Sequence, residues 1–251
     1  MGVICAPMPP EDRSTSLLSR LMCGDLIGGP TRMANILSES IENRKGFDPD
    51  NVRKMYLNWW SEGAFDTGPT FAITMGELDS GTDPEEAVRI AHEKLDGNSG
   101  GCGPVHRAAA PLALSRYIPT SKLAEAAIQE ARLTHFDVVA GDVSAAVALL
   151  IRYSSEGTGG GMLASLDRVG EGRLLATQAA LKSGTVQPTM PSGYAADALQ
   201  AAIYFLQSSF SFEEALERSI GFAGQENYCP ILVGAIGASY ASGRPNMMGK
   251  N

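Results

Sequence analysis

Between Val138 and Gly157 the chain reads VVAGDVSAAVALLIRYSSEG, a stretch made almost entirely of apolar or small residues. It is too long for one strand, and its apolar character runs around most of a helical circumference, the mark of a helix buried on most faces. Other segments supply helices to cover it. STSLLSRLMCGD (14–25) opens with polar capping residues and runs to Gly24, and TRMANILSESIENR (31–44) sets Met33, Ile36, Leu37 and Ile41 on one stripe. DPDNVRKMYLNWWSEG (48–63) has Asp-Pro-Asp at its start and Gly63 at its stop. DPEEAVRIAHEKL, TSKLAEAAIQEARLTH, YAADALQAAIYFLQSS and SFEEALERSIGFAG follow the same logic, without strand alternation, Asn-Gly hairpin signals or a repeat period. The expected fold is all-α, a single-domain orthogonal bundle of roughly eight to eleven helices. It spans 1–251, with 1–13 and 244–251 as tails. The glycine-rich EGTGGGMLASLDRVGEGR (156–173) is expected as a flexible connection within that domain.

A net charge of −8 argues against an extended nucleic-acid surface, which needs clustered Lys and Arg. Cys5, Cys23, Cys102 and Cys229 lie far apart with no metal-ligand spacing, as expected of free thiols in a reducing compartment. No window approaches 18 uninterrupted apolar residues, and the opening MGVICAPMPPEDRS lacks a basic region or long apolar run. The sequence therefore predicts a cytoplasmic protein with no membrane or nucleic-acid partner. It specifies no oligomeric state.

Polar loops break the helical pattern at four places. In CGDLIGGPTRM, Gly28 and Gly29 permit close backbone approach, Thr31 is a capping residue and Asp25 is a candidate for a cation or a sugar hydroxyl. In GAFDTGPTFA, Asp66 and Thr67 precede a Gly-Pro step, where Asp66 reads either as a helix cap or as a site carboxylate. In GNSGGCGPVHRAAAPLAL, the backbone around Gly101, Cys102 and Gly103 could wrap a diphosphate, with Arg107 adding charge and His106 beside a helix start. No strand precedes that loop and its glycine spacing does not fit a dinucleotide fingerprint. In GQENYCP, the polar Gln225, Glu226, Asn227 and Tyr228 precede Pro230, which suits a first helical turn, and the small-residue helix that follows favours close packing.

Taken in order, these segments resemble the ADP-ribosylglycohydrolase family, which includes dinitrogenase-reductase-activating glycohydrolases, ADP-ribosyl-arginine hydrolases and J1 crystallins. Gly24-Asp25 is similar to the family's Gly-Asp-Ala-Leu-Gly segment, YLNWWSEGAFDTGPT to its Trp segment ending in Asp-Ile-Gly-x-Thr, and VHRAAAPLAL to its Met-Arg-x-Ala-Pro-Leu-x-Leu stretch. THFDVVAGDVSAAVALLI resembles its Thr-His helix, and GYAADALQAAIYFLQSSFSFEEALERSIGFAG its terminal helical hairpin. The resemblance covers about Ser16 to Gly243 and implies an all-α fold and an ADP-ribose-like ligand or an ADP-ribosylated protein.

It also implies a two-magnesium site, and there this sequence departs from the pattern. Where the family reads Gly-Gly-Asp-x-Asp-Thr-x-Gly, Gln225, Asn227 and Tyr228 replace the two aspartates and the threonine, and Gly28-Gly29-Pro30-Thr31 stands for Thr-Asp-Asp-Thr. Magnesium needs anionic oxygens in a near-octahedral array, so the two-ion site is expected to be lost, with room for at most one weak magnesium and no other cofactor. Ribosyl cleavage passes through an oxocarbenium-like centre and needs a carboxylate to activate water and an acid for the leaving group. The resemblance makes Asp66 the base or ribose-orienting group. Glu226 is the second carboxylate, His106 the candidate proton donor, and Tyr228 a stacking or hydrogen-bonding group. Two readings stand: a divergent glycohydrolase, metal-free or with one cation, and a non-catalytic relative that binds ADP-ribose or a nucleotide or serves as a crystallin-like structural protein.

Overall fold

A computed structural model describes residues 17–158 and 161–241. Its helices, in chain order, are α1 (residues 17–21), α2 (Gly29–Arg44), α3 (Pro49–Ser61), α4 (Pro69–Asp79), α5 (Pro84–Lys94), α6 (Gly103–Leu114) and α7 (Thr120–Ala131). There follow α8 (Val138–Glu156), α9 (Met162–Gly170), α10 (Leu175–Lys182), α11 (Ala195–Ser208), α12 (Phe212–Ala223) and α13 (Cys229–Ala241). Among the described residues there is no strand, and the one isolated bridge joins Gly101 to Tyr194. The tails expected at 1–13 and 244–251, like Ser14 to Ser16, lie outside the described residues.

Local chemistry sets many of the helix ends. Asp48 caps α3 by accepting from the Asn51 N–H at 3.0 Å, Asp137 caps α8 through the Val139 N–H, and Ser211 caps α12 through the Glu214 N–H. Pro49, Pro69, Pro84, Pro104 and Pro230 all occupy first turns, where a missing N–H interrupts no helical bond. Pro111 inside α6 is different, because its ring disturbs the end of that helix. Arg152 of α8 serves the carbonyls left free where α6 ends, donating to those of Leu112, Ala113, Ser115 and Ile118.

The apolar stretch that opened the reading is α8, packed against α6, α7, α9, α11 and α13. By length and composition it could cross a membrane, but most of it is enclosed within the protein, as a core helix is. One continuous apolar core joins residues of every helix except α5, whose buried Ala87, Val88 and Ala91 lie outside it. α13 is the second helix buried almost all round, from Cys229 to Tyr240.

Two expectations need correction. α9 forms inside the segment read as a flexible connection, because Leu166 and Val169 recur at helical spacing and are buried in the core. With α4 and α10, it takes the helix number above the expected range. Thr31 does not cap α2 from in front; it lies within the helix, and Asp25 serves the helix start.

Candidate functional site

Three loops converge at one end of the bundle. The α1–α2 loop carries Asp25, the α3–α4 loop Asp66, and the α12–α13 loop Asn227. Two glycines make the convergence sterically feasible. A Cβ on Gly24 would lie 1.9 Å from the Pro230 carbonyl oxygen, so only glycine lets the Asp25 loop rest against the first turn of α13. A Cβ on Gly29 would meet the backbone oxygens of Phe65 and Asp66 at 2.7 and 2.6 Å, so glycine also lets the start of α2 abut the Asp66 loop.

Asp25 is heavily engaged. Its Oδ1 accepts from the N–H groups of Gly28 (2.8 Å) and Ile27 (3.2 Å), and its Oδ2 from the N–H (2.8 Å) and hydroxyl (2.6 Å) of Thr31. Asn227, buried at 8% exposure, joins the loops: its Nδ2 donates to Asp25 Oδ1 and to Asp66 Oδ2, each at 2.8 Å, while its Oδ1 accepts the Leu26 N–H at 3.2 Å. Asp66 is half-buried in the left-handed region at φ 51, which aspartate tolerates better than most residues. It is not the cap of α4, a position that Gly68 holds. Burial pushes its carboxyl above the usual range; the Asn227 and Gly29 bonds oppose this, and the charges of Asp25 and Glu226 add to it.

Around this cluster the surface is mixed. Leu26, Ile27 and Phe65 are exposed apolar side chains, with Phe65 set edge-on to Trp59. Gln225 and Glu226 are exposed, and Thr67 is half-buried with its hydroxyl toward the Gly68 carbonyl at 3.5 Å. Tyr228 is half-buried with its ring against Gly193, and burial followed by the Glu226 charge raises its phenol.

In the third loop, expected to wrap an anion, part of the backbone is engaged within the protein. The Cys102 N–H donates to the Gly193 carbonyl and the Gly100 carbonyl accepts the Ala195 N–H, so these backbone groups tie the loop to α11. The glycine density has a packing cause: a Cβ on Gly100 would press on Tyr194 and Asp137, and one on Gly101 would lie 3.3 Å from His135. Gly103 begins α6 beside His135. The Cys102 thiol is buried, and desolvation pushes it up to about 12.

Arg107 is fully buried, donating from Nε and one terminal nitrogen to Glu130 (2.6 and 3.3 Å) and from that same nitrogen to Thr134 (2.8 Å). Tyr56 donates to the same Glu130 at 2.9 Å, and the guanidinium faces the rings of Tyr56 and Phe71. Burial opposes the Arg107 charge, and Glu130 and Tyr56 more than offset it, so its pKa lies above the ordinary value. It is a core cation and not the ligand-facing charge expected from sequence. His106 lies near Asp25 and the Tyr228 backbone, but enclosure lowers its pKa to about 4 despite Asp25, so at neutral pH it is a neutral imidazole without the imidazolium proton a general acid would give.

Sequence reading missed a second feature, a cleft of about 170 Å³ beside the glycine-rich loop. His135, Asp137, Val138, Asp142 and Leu174 line it. Thr134 fixes the His135 ring through Nδ1 at 2.7 Å, and Asp142 accepts from Arg173 and from the Leu174 N–H. That Asp137, the cap of α8, also lines a cleft depends on how the segment before α10 folds across α8.

The family model for ADP-ribosylglycohydrolase matches residues 9–242. Among solved structures, a chain described as an ADP-ribosylglycohydrolase-related protein complex is similar at a TM-score of 0.71 and 22% identity, over 94% of this chain and 90% of that one. At that identity the likeness speaks for the fold. No curated protein sequence matches the chain.

Proposed function

Because the chain belongs to the ADP-ribosylglycohydrolase family, we propose that it is a glycohydrolase cleaving an ADP-ribosyl or related N- or O-ribosyl bond at Asp66, without a divalent cation. The observation that carries this reading is the position of Asp66: on a tight left-handed turn, held by Asn227 and Gly29, at the meeting point of three loops. A carboxyl that burial holds above its usual pKa is a better proton acceptor than an ordinary aspartate.

In the proposed reaction, Asp66 takes a proton from water as the water oxygen bonds to the anomeric carbon. The bond from that carbon to the leaving nitrogen or oxygen breaks, and the leaving group takes a proton from solvent at the exposed rim beside Glu226. The charges of Asp66, Asp25 and Glu226 favour the positive oxocarbenium-like centre. The substrate on this reading is an ADP-ribosylated protein or small molecule of the cytoplasm.

The test is release of ADP-ribose from ADP-ribosyl-arginine and ADP-ribosyl-serine peptides. Wild-type turnover that falls by about 10²-fold or more in Asp66→Asn is the expected result; equal turnover in the two proteins removes Asp66 from the chemistry. A second reading, a non-catalytic ADP-ribose binder, draws on the neutral, enclosed His106, which leaves the cluster without the expected acid. It predicts thermal protection by ADP-ribose with no product.

A further inference from the structure

We propose that the Asn227 carboxamide does the work of a divalent cation in this protein, holding the Asp25 and Asp66 carboxylates together with a neutral group. The inference rests on the hydrolase reading only for what Asp66 does to substrate; the statement about cations stands on the donor set alone.

A side-chain amide nitrogen has two protons, and both are committed here, one to Asp25 Oδ1 and one to Asp66 Oδ2. The orientation of the amide is fixed by its other end. The Leu26 N–H donates to Asn227 Oδ1, and a flipped amide would set its oxygen against two carboxylates and its NH₂ against that N–H. A cation between Asp25 and Asp66 would therefore meet positively polarised hydrogens at close range.

Asp25 itself has no oxygen to offer. Besides Asn227 it accepts from Gly28, Ile27 and twice from Thr31, which exhausts the roughly four lone-pair sites of a carboxylate. A magnesium ion needs about six oxygens at about 2.0–2.1 Å. The set present, one saturated carboxylate, one held by Asn227 and Gly29 and an amide presenting its donors, does not fit it. The nearest cationic side chain on α6, Arg107, is spent on Glu130. The two aspartates are thus held by hydrogen bonds, at the expense of leaving their charges uncancelled.

Asn227→Asp changes the shape little while removing both donors and adding a third negative charge. Three carboxylates then repel one another until a divalent cation joins them. The experiment is calorimetric titration with Mn²⁺ and Mg²⁺, alongside thermal melting, on chelator-treated full-length wild type, Asn227→Asp and the double variant Asn227→Asp with Asp66→Asn. The expected result is no Mn²⁺ binding or melting shift in wild type at millimolar ion. Asn227→Asp should melt lower than wild type in chelator and bind one Mn²⁺ at least tenfold more tightly, with its melting temperature restored; the double variant should lose that site.

One-to-one Mn²⁺ binding by wild type that disappears in Asp66→Asn overturns the proposal and needs no variant of Asn227. A folded Asn227→Asp that gains no cation affinity overturns it as well. Neither readout uses turnover, so a protein that hydrolyses nothing refutes the proposed activity while leaving the cation result to stand or fall separately.

Discussion

Arg107 and Glu130 form a forked ion pair with neither side chain exposed, the shorter contact at 2.6 Å. The pair ties α6, which carries His106, to the end of α7, and Tyr56 and Thr134 add hydrogen bonds to it, while Arg107 Nη1 is buried with no hydrogen-bond partner among the described residues. Glu130→Gln leaves a buried guanidinium without a countercharge, so a loss of about 3–5 kcal/mol is expected in denaturant unfolding. Arg107→Lys should recover little of this, since an ammonium cannot reproduce the fork. ADP-ribose affinity of any variant still folded should be close to that of wild type, because Arg107 faces the core.

Asp66→Asn is expected to act in opposite directions on stability and on turnover. The Asp66 carboxyl has a raised pKa in the folded chain, so the native state holds its proton more tightly than the unfolded state. Stability from this group is full below the ordinary value and falls as pH rises through the raised one. Asp66→Asn removes that penalty, and its oxygen still accepts the amide bond. The variant should melt higher than wild type at pH 7 while losing turnover; a lower melting temperature would contradict the electrostatic account.

His106 gives a pH dependence of the other sign. Its folded pKa of about 4 lies below the ordinary 6.5, chiefly through burial, so the unfolded chain binds the proton first. Stability is intact above pH 6.5 and drains away as pH falls toward about 4, by about 3 kcal/mol in all. Urea unfolding in that window should show a slope that flattens in His106→Gln.

Gly29 provides a steric test of the site. An added methyl meets the Asp66 Cβ at 2.7 Å and two backbone oxygens, none of them the end of a flexible side chain. Gly29→Ala should therefore displace the Asp66 loop, lowering stability by about 1–3 kcal/mol and reducing turnover more than ADP-ribose affinity. Gly46→Ala is the matched control, since a Cβ there meets nothing within 4 Å.

How far the sequence reached differs between fold and site. The helical class, the buried α8, the Asp48 cap and the Pro230 first turn were all legible, because periodicity and end signals are local properties of the chain. α9 was obscured by the glycines around it, which signal a loop more strongly than Leu166 and Val169 signal a helix. Asp25, Asp66 and Asn227 could each be picked out as polar residues in loops. Their shared hydrogen bonds span 161 and 202 positions, and no local pattern encodes them.

The sequence by itself determined an all-helical chain with an acidic, glycine-rich set of loops at its helix ends, since backbone propensity and apolar spacing act over a few residues. Only the tertiary structure decided which polar residues face one another. It buried Arg107 against Glu130 and turned a glycine-rich loop into packing surface for Tyr194 and His135. It also set one amide between two carboxylates. Each outcome depends on desolvation and on distances between segments far apart in the chain, and those exist only once the helices have packed.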